Sequence, residues 1–143
     1  MGYSIAIDGP AGAGKSTIAR RVAARLSFIY VDTGAMYRAM GLYFLEKGIS
    51  PEDAAAIEAA VEDISVSIRY ENGEQQVWLN GKDVSGQIRR EEVGNMASRT
   101  SANARVRKKL VALQRELAKN ENVVMDGRDI GTCVLPDATV KIY

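Results

Sequence analysis

The hydrophobic and polar positions of this chain change period several times, and each change marks a different element. Tyr3–Asp8 (YSIAID) alternates loosely and is rich in isoleucine, the pattern of a short buried strand. Gly9–Gly14 is a glycine-rich loop. From Ser16 a helix begins, with Ile18, Val22 and Leu26 recurring at every fourth position as its apolar stripe and Arg20, Arg21 and Arg25 elsewhere. Phe28–Val31 reads as a second strand, closed by Asp32-Thr33-Gly34. A helix over about Ala35–Glu46 follows, with Met36, Met40 and Phe44 on one face and Gly48 as its stop. Ser50-Pro51-Glu52-Asp53 predicts the next helix start, with a serine cap, proline at the first position and acids in the first turn. The alanine-rich stretch to about Val61 is its body.

The period then drops to two. Ile64, Val66, Ile68 and Tyr70 alternate with Ser65, Ser67 and Arg69, a strand with one wet face. Asn72-Gly73 is a turn signal, Gln76–Leu79 a return strand, and Asn80-Gly81 a second turn. The hairpin reads as a small sheet inserted at about residues 63–85. A long helix is expected over Arg105–Lys119, with Val106, Leu110, Leu113 and Leu117 as its core stripe and Arg107, Lys108 and Arg115 off it. Val123–Asp126 reads as a third buried strand and Thr139–Tyr143 as a fourth. Strands alternating with helices predict an α/β fold with a parallel sheet. Such a sheet binds ligands beyond the carboxyl ends of its strands, so the loops after Asp8, Val31 and Asp126 are expected to line one cleft.

Composition narrows the chemistry more than the fold. At 143 residues, 46% hydrophobic and 26% charged, the chain suits one globular domain. Nineteen Lys and Arg against 18 Asp and Glu give a net charge of +1, which argues against nucleic-acid binding driven by overall charge. A single cysteine excludes an internal disulfide framework, and the lack of histidine excludes His-ligated zinc and Ser-His-Asp or Cys-His catalysis. Cys133 reads as a small buried hydrophobe. No apolar run reaches the roughly 18–20 residues needed to cross a bilayer, and no basic stretch precedes an apolar one at the N-terminus. Met1-Gly2 is followed at position 6 by Ala6 rather than the Ser or Thr of a myristoylation signal. The expectation is a cytoplasmic protein, monomeric, with neither membrane nor nucleic acid as partner.

Gly9-Pro10-Ala11-Gly12-Ala13-Gly14-Lys15-Ser16 fits G-x-x-x-x-G-K-[ST] at every fixed position, between an expected strand and an expected helix. Glycines let backbone N–H groups curl around phosphate oxygens, and the helix N-terminus adds partial positive charge. Lys15 supplies a point charge for the β- and γ-phosphates, and Ser16 a hydroxyl for Mg²⁺. GTPases, ATP-driven machines and small-molecule kinases share this loop. An Asn-Lys-x-Asp guanine-reading stretch is missing, since Asn80-Gly81-Lys82-Asp83 has the wrong order. A Leu-Ser-Gly-Gly-Gln signature is missing too. A kinase for a small acceptor remains.

Other polar clusters fit an acceptor side. In Asp32-Thr33-Gly34-Ala35-Met36-Tyr37-Arg38, Thr33 is placed to cap a helix and Arg38, one turn in, to clamp a phosphate, although a capped surface helix explains the pattern as well. Asp126-Gly127-Arg128-Asp129 puts three charges directly after a buried run, which packing explains poorly. There Asp126 would orient Mg²⁺-bound water, Arg128 hold phosphate and Asp129 act as an acceptor; a salt-bridged turn is the plainer alternative. For Ser98-Arg99-Thr100-Ser101 and Arg105–Lys109 a solvated helix face is the favoured reading.

The segments GPAGAGKST (Gly9–Thr17), DTGAMYR (Asp32–Arg38), DVSGQIR (Asp83–Arg89), EVGNMAS (Glu92–Ser98) and DGRDIGT (Asp126–Thr132), in this order, resemble bacterial cytidylate kinases. The resemblance implies a P-loop nucleoside monophosphate kinase fold and transfer of the ATP γ-phosphoryl group to CMP or dCMP with Mg²⁺. By position, Gly9–Thr17 would hold ATP, and Thr17 joins the loop residues on this ground. Thr33, Gly34, Tyr37, Arg38 and Arg128 would face the CMP phosphate and its surroundings, and Ser98, Arg107 and Asp129 would read cytosine. The resemblance casts Lys15, Arg38, Arg128 and Asp126 as the catalytic set. Cytosine offers an amino donor at N4 and acceptors at N3 and O2, which suit a carboxylate with a hydroxyl and a guanidinium. Uracil inverts two of these groups, leaving polar groups unpaired at about 1–3 kcal/mol. The acceptor phosphate oxygen is already anionic, so positioning and charge neutralisation would carry catalysis.

The family pattern continues past Val140-Lys141-Ile142-Tyr143 with a lid, a ribose-binding segment and a last strand and helix. The expectation is an incomplete kinase domain, poorly active alone, with the 63–85 insert in the acceptor-binding region. The alternatives are a related UMP or other small-molecule kinase, and a nucleotide-binding module without catalysis.

Overall fold

A computed structural model describes residues 2–9, 14–71, 74–127 and 130–142, without the side chains of Lys15, Thr132 and Cys133. The turn expected at Asn72-Gly73 lies outside the described residues. The chain divides into two compact units, Met1–Thr33 with Val111–Tyr143, and Gly34–Leu110. Among the described residues no helix is long and apolar enough to cross a membrane.

The first unit is built on a four-stranded parallel sheet of β1 (Ser4–Asp8), β2 (Ile29–Asp32), β6 (Val123–Gly127) and β7 (Val140–Ile142), in the order β2-β6-β1-β7. Val123, Val124 and Met125 are fully buried, as a parallel strand covered on both faces requires. Helix α1 (Lys15–Leu26) packs on the sheet through Ala19 and Ala23, which join Ile5, Ile7 and Val124 in one cluster with Val22, Phe28 and Tyr30 against it. This corrects the expected stripe: Ile18 is 51% and Leu26 47% exposed. The largest side chains misplace the helix face by one position, about 100° of rotation, because the small alanines permit the closer approach to the sheet. A single π turn, Ile130–Val134, leads towards β7. The Arg115 Nε holds it by donating to the Val134 carbonyl at 2.8 Å.

The second unit is helical with an antiparallel insert. Helix α2 (Thr33–Glu46) runs into it with Met36, Met40 and Phe44 fully buried, as expected. Helix α3 (Ala54–Val61) starts later than the sequence suggests. Asp53, not Ser50, is its cap and accepts from the Ala56 N–H at 3.1 Å. Ser50 and Pro51 instead form a preceding turn, closed by the Asp53 N–H to the Ser50 carbonyl. Strands β3 (Val66–Glu71), β4 (Glu74–Leu79) and β5 (Lys82–Asp83) make the inserted sheet, with β5 an addition to the expected hairpin. Asn80 and Gly81, at φ 49° and 81°, form its second turn, the left-handed pair that a tight hairpin demands. Helix α4 (Glu91–Thr100) contains the helix face expected at Ser98 but begins earlier, and α5 (Ala104–Asn120) follows, its residues from Val111 onward belonging to the first unit. In α5 the fully buried positions are Val106, Leu110 and Gln114, with Ala118 nearly so, while Leu113 and Leu117 are half-buried. The expected stripe holds for its first half only.

Candidate functional site

The parallel register of the first unit decides where its charges fall. Asp8 pairs with Gly127 across β1 and β6, and Asp32 with Asp126 across β2 and β6. The carboxyl ends of three strands therefore lie side by side, carrying Asp8-Gly9, Asp32-Thr33 and Asp126-Gly127. Inside β1 and β6 the side chains are buried, so a charge is tolerated only where the strand runs out. This is the shared edge expected from the alternation of strands and helices.

The glycine loop leaves this edge at Gly9, whose N–H donates to the Gly127 carbonyl at 3.2 Å. Pro10, Ala11, Gly12 and Ala13 lie outside the described residues. At the far end Gly14 stands at φ 75°, ψ 12°, a left-handed conformation that an L side chain would strain, and α1 begins at the next residue. Lys15 is thus the first helical residue. Ser16 and Thr17 occupy the exposed first turn, which holds no acidic side chain to compete for an anion. Twelve residues of α1 aim their positive end at the loop.

Asp126 is buried, and its carboxylate accepts a hydrogen bond from the Tyr30 hydroxyl at 2.7 Å. Tyr30 and Asp126 meet because parallel pairing sets Tyr30 opposite Val124, two residues before Asp126 on the same sheet face. The Arg20 guanidinium covers the Tyr30 ring at 5.4 Å. Burial, then the charge of Asp32 and the bond to Asp126, push the Tyr30 phenol far above its ordinary range. Thr33 is a correction. Its hydroxyl does not cap α2 but donates to the Asp126 carbonyl at 2.7 Å, because Thr33 is itself the first helical residue and is buried against β6. The Asp8 carboxylate accepts from the Ile130 and Gly131 N–H groups at 2.6 and 2.8 Å, tying the root of the glycine loop to the π turn.

In the second unit Gly34, Tyr37 and Arg38 occupy the first turns of α2, Ser98 lies exposed on α4, and Arg107 is half-buried on α5. The Arg38 guanidinium lies beside Gly94, one turn before Ser98 on α4. Arg128 and Asp129 fall outside the described residues.

Sequence reasoning passed over Tyr30 and Asp8. The signal for Asp8 was available, since it is a charge ending a buried run just as Asp126 is. Tyr30 had none, because its partner is 96 residues away.

The cytidylate kinase family model matches residues 5–143. A cytidylate kinase of Caldicellulosiruptor bescii is 51% identical over 140 residues, which are 98% of this chain and 62% of that protein. One from Halalkalibacterium halodurans is 49% identical over 140 residues, 98% of this chain and 63% of the relative. Another from Lactobacillus johnsonii is 50% identical over 139 residues, 97% of this chain and 60% of the relative. The chain spans 60–63% of the length of these curated relatives.

Proposed function

Because this chain belongs to the cytidylate kinase family, we propose that the protein transfers the γ-phosphoryl group of ATP to CMP or dCMP. The bond between the γ-phosphorus and the bridging oxygen to the β-phosphate breaks, and a bond to an acceptor phosphate oxygen forms. The products are ADP and CDP or dCDP. The observation that supports this best is the left-handed Gly14 set directly before α1, at the carboxyl edge where Asp8, Asp32 and Asp126 converge.

In this reading Gly9 to Thr17 wrap the ATP phosphates with main-chain N–H groups, and the start of α1 and Lys15 neutralise their charge. Thr33, Gly34, Tyr37 and Arg38 face the acceptor phosphate with Arg128, while Ser98, Arg107 and Asp129 read cytosine. The acceptor oxygen is anionic already, so no side chain needs to remove a proton. Catalysis is in-line positioning and charge neutralisation by Lys15, Arg38 and Arg128.

The donor set suits Mg²⁺: the Ser16 hydroxyl is a hard oxygen ligand, the Asp126 carboxylate a hard acceptor for ion-bound water, and the Tyr30 bond fixes the orientation of Asp126. When bound, the ion would draw charge from the β- and γ-phosphate oxygens. Ser16 would touch it directly and Asp126 through water.

ADP release measured with CMP, dCMP, UMP and AMP tests the proposal, on this chain and on a version extended to the length of the relatives. CMP and dCMP are expected to be preferred. A preference for AMP or UMP would turn the reading to a different small-molecule kinase. ATP binding without acceptor-dependent turnover in the extended version would turn it to a non-catalytic module. In the extended version Asp129→Ala is expected to abolish discrimination between CMP and UMP with ATP affinity nearly unchanged.

A further inference from the structure

Helix α4 carries Gly94 near its middle, where alanine would favour the helix more. Its surroundings show what a longer side chain there would meet. Beyond its own helix, the three nearest heavy atoms to a Cβ built on Gly94 all belong to the Arg38 guanidinium: Nε and Nη2 at 3.7 Å and Cζ at 4.0 Å. The guanidinium thus lies over bare backbone.

The neighbouring contact shows why the helices come so close. A Cβ on Gly41 of α2 would stand 2.9 Å from the Ala97 nitrogen and 3.1 Å from the Val93 carbonyl oxygen of α4. Those atoms are backbone and cannot step aside. Gly41 therefore lets α2 lie against the α4 main chain, and Arg38, three residues earlier on α2, meets α4 at Gly94. Ser98 follows Gly94 by four residues, so the two share one helix face about 5–6 Å apart. A floor without side chains lies beside Ser98 and beneath Arg38.

We infer that Gly94 is a positioning residue: the absence there of any side chain longer than a methyl group lets the Arg38 guanidinium keep a fixed place relative to Ser98 and keeps the acceptor floor open. The inference rests on the proposed function, in which Arg38 holds the acceptor phosphate and Ser98 meets the base. Alanine fits at 94, since 3.7 Å is ordinary contact. A longer side chain must push the guanidinium away. Phosphate and base would then no longer be met together.

Steady-state kinetics with CMP and ATP, in the version extended to the relatives' length, test this. Gly94→Ala should keep the KM for CMP within about twofold and raise the unfolding temperature. Gly94→Leu should raise the KM for CMP about tenfold, leave the KM for ATP within about twofold, and not lower the unfolding temperature. Introduced into Arg38→Ala, the leucine should change the KM for CMP less than about twofold, because the group it displaces is gone. An equal leucine effect with and without Arg38, or a parallel rise in both KM values, would overturn the inference. So would a silent Gly94→Leu in a protein where Arg38→Ala weakens CMP. If Arg38→Ala leaves CMP unaffected, the proposed role of Arg38 fails first and carries the inference with it.

Discussion

Strands β6 and β3, one from each sheet of this chain, obey opposite rules. In β6 burial is unbroken from Val123 through Asp126, and the only charge stands at the end of the strand. In β3 burial falls away along the strand, from buried Val66 to exposed Arg69, Tyr70 and Glu71. There the polar groups are spread over an open face and pair with one another. The Arg69 guanidinium stacks on Trp78 at 3.9 Å, Trp78 donates to Gln76, and Gln76 donates to Glu71. A strand covered on both faces keeps its charge at one end, beside the charges that end its neighbours. A sheet with a wet face can scatter them.

The contrast can be broken most directly in the parallel sheet. Met125→Ala removes a fully buried side chain and should destabilise the protein by about 2–5 kcal/mol in urea unfolding. A loss below about 1 kcal/mol would mean that β6 is not the core strand described here.

Tyr30→Phe should cost about 1–3 kcal/mol near neutral pH, because the buried Asp126 carboxylate loses the hydroxyl that donates to it. The same variant sharpens the electrostatics. A phenol pushed up in the folded protein contributes stability that is complete below its ordinary value of 10.0 and is lost as pH rises beyond it, since the unfolded chain ionises first. The wild type should therefore lose stability above about pH 10 more steeply than Tyr30→Phe. Parallel curves would place the Tyr30 hydroxyl in water.

On the open sheet the effects should be smaller. Arg69→Ala should cost about 0.5–1 kcal/mol through the lost contact with the Trp78 ring, read from the same unfolding curves. The smallest effect is expected at Asp83, an exposed carboxylate held below its ordinary range by the Ser85 hydroxyl and then the Ser85 N–H. In Ser85→Ala its titration, followed by NMR, should move up towards the ordinary value. The pH dependence of unfolding should hardly change.

How far the sequence could be read depended on how local each cause was. The strand before the glycine motif, the helix after it and the left-handed Gly14 between them were legible because they are set by a few consecutive residues. The Asn80-Gly81 turn and the Met36, Met40 and Phe44 face were legible for the same reason. The α1 face was misread because the choice between alanines and larger side chains was made by the sheet it lies on. Ser50 was expected to cap α3 and Thr33 to cap α2, and both were displaced. Asp53 offered a carboxylate closer to the helix, and the Thr33 hydroxyl found the Asp126 carbonyl, 93 residues along the chain.

Amino-acid order alone therefore settled the class of fold, the left-handed start of α1 at Gly14 and the identity of the charged groups at the strand ends, since these follow from spacing over a few residues. Only the folded chain could set Tyr30 against Asp126, Asp8 against Ile130 and Gly131, and Arg38 over Gly94. The reason is geometric. Parallel register and helix crossing join residues far apart in the chain, and the side chain that fits such a junction is chosen by the space left over after both elements have packed.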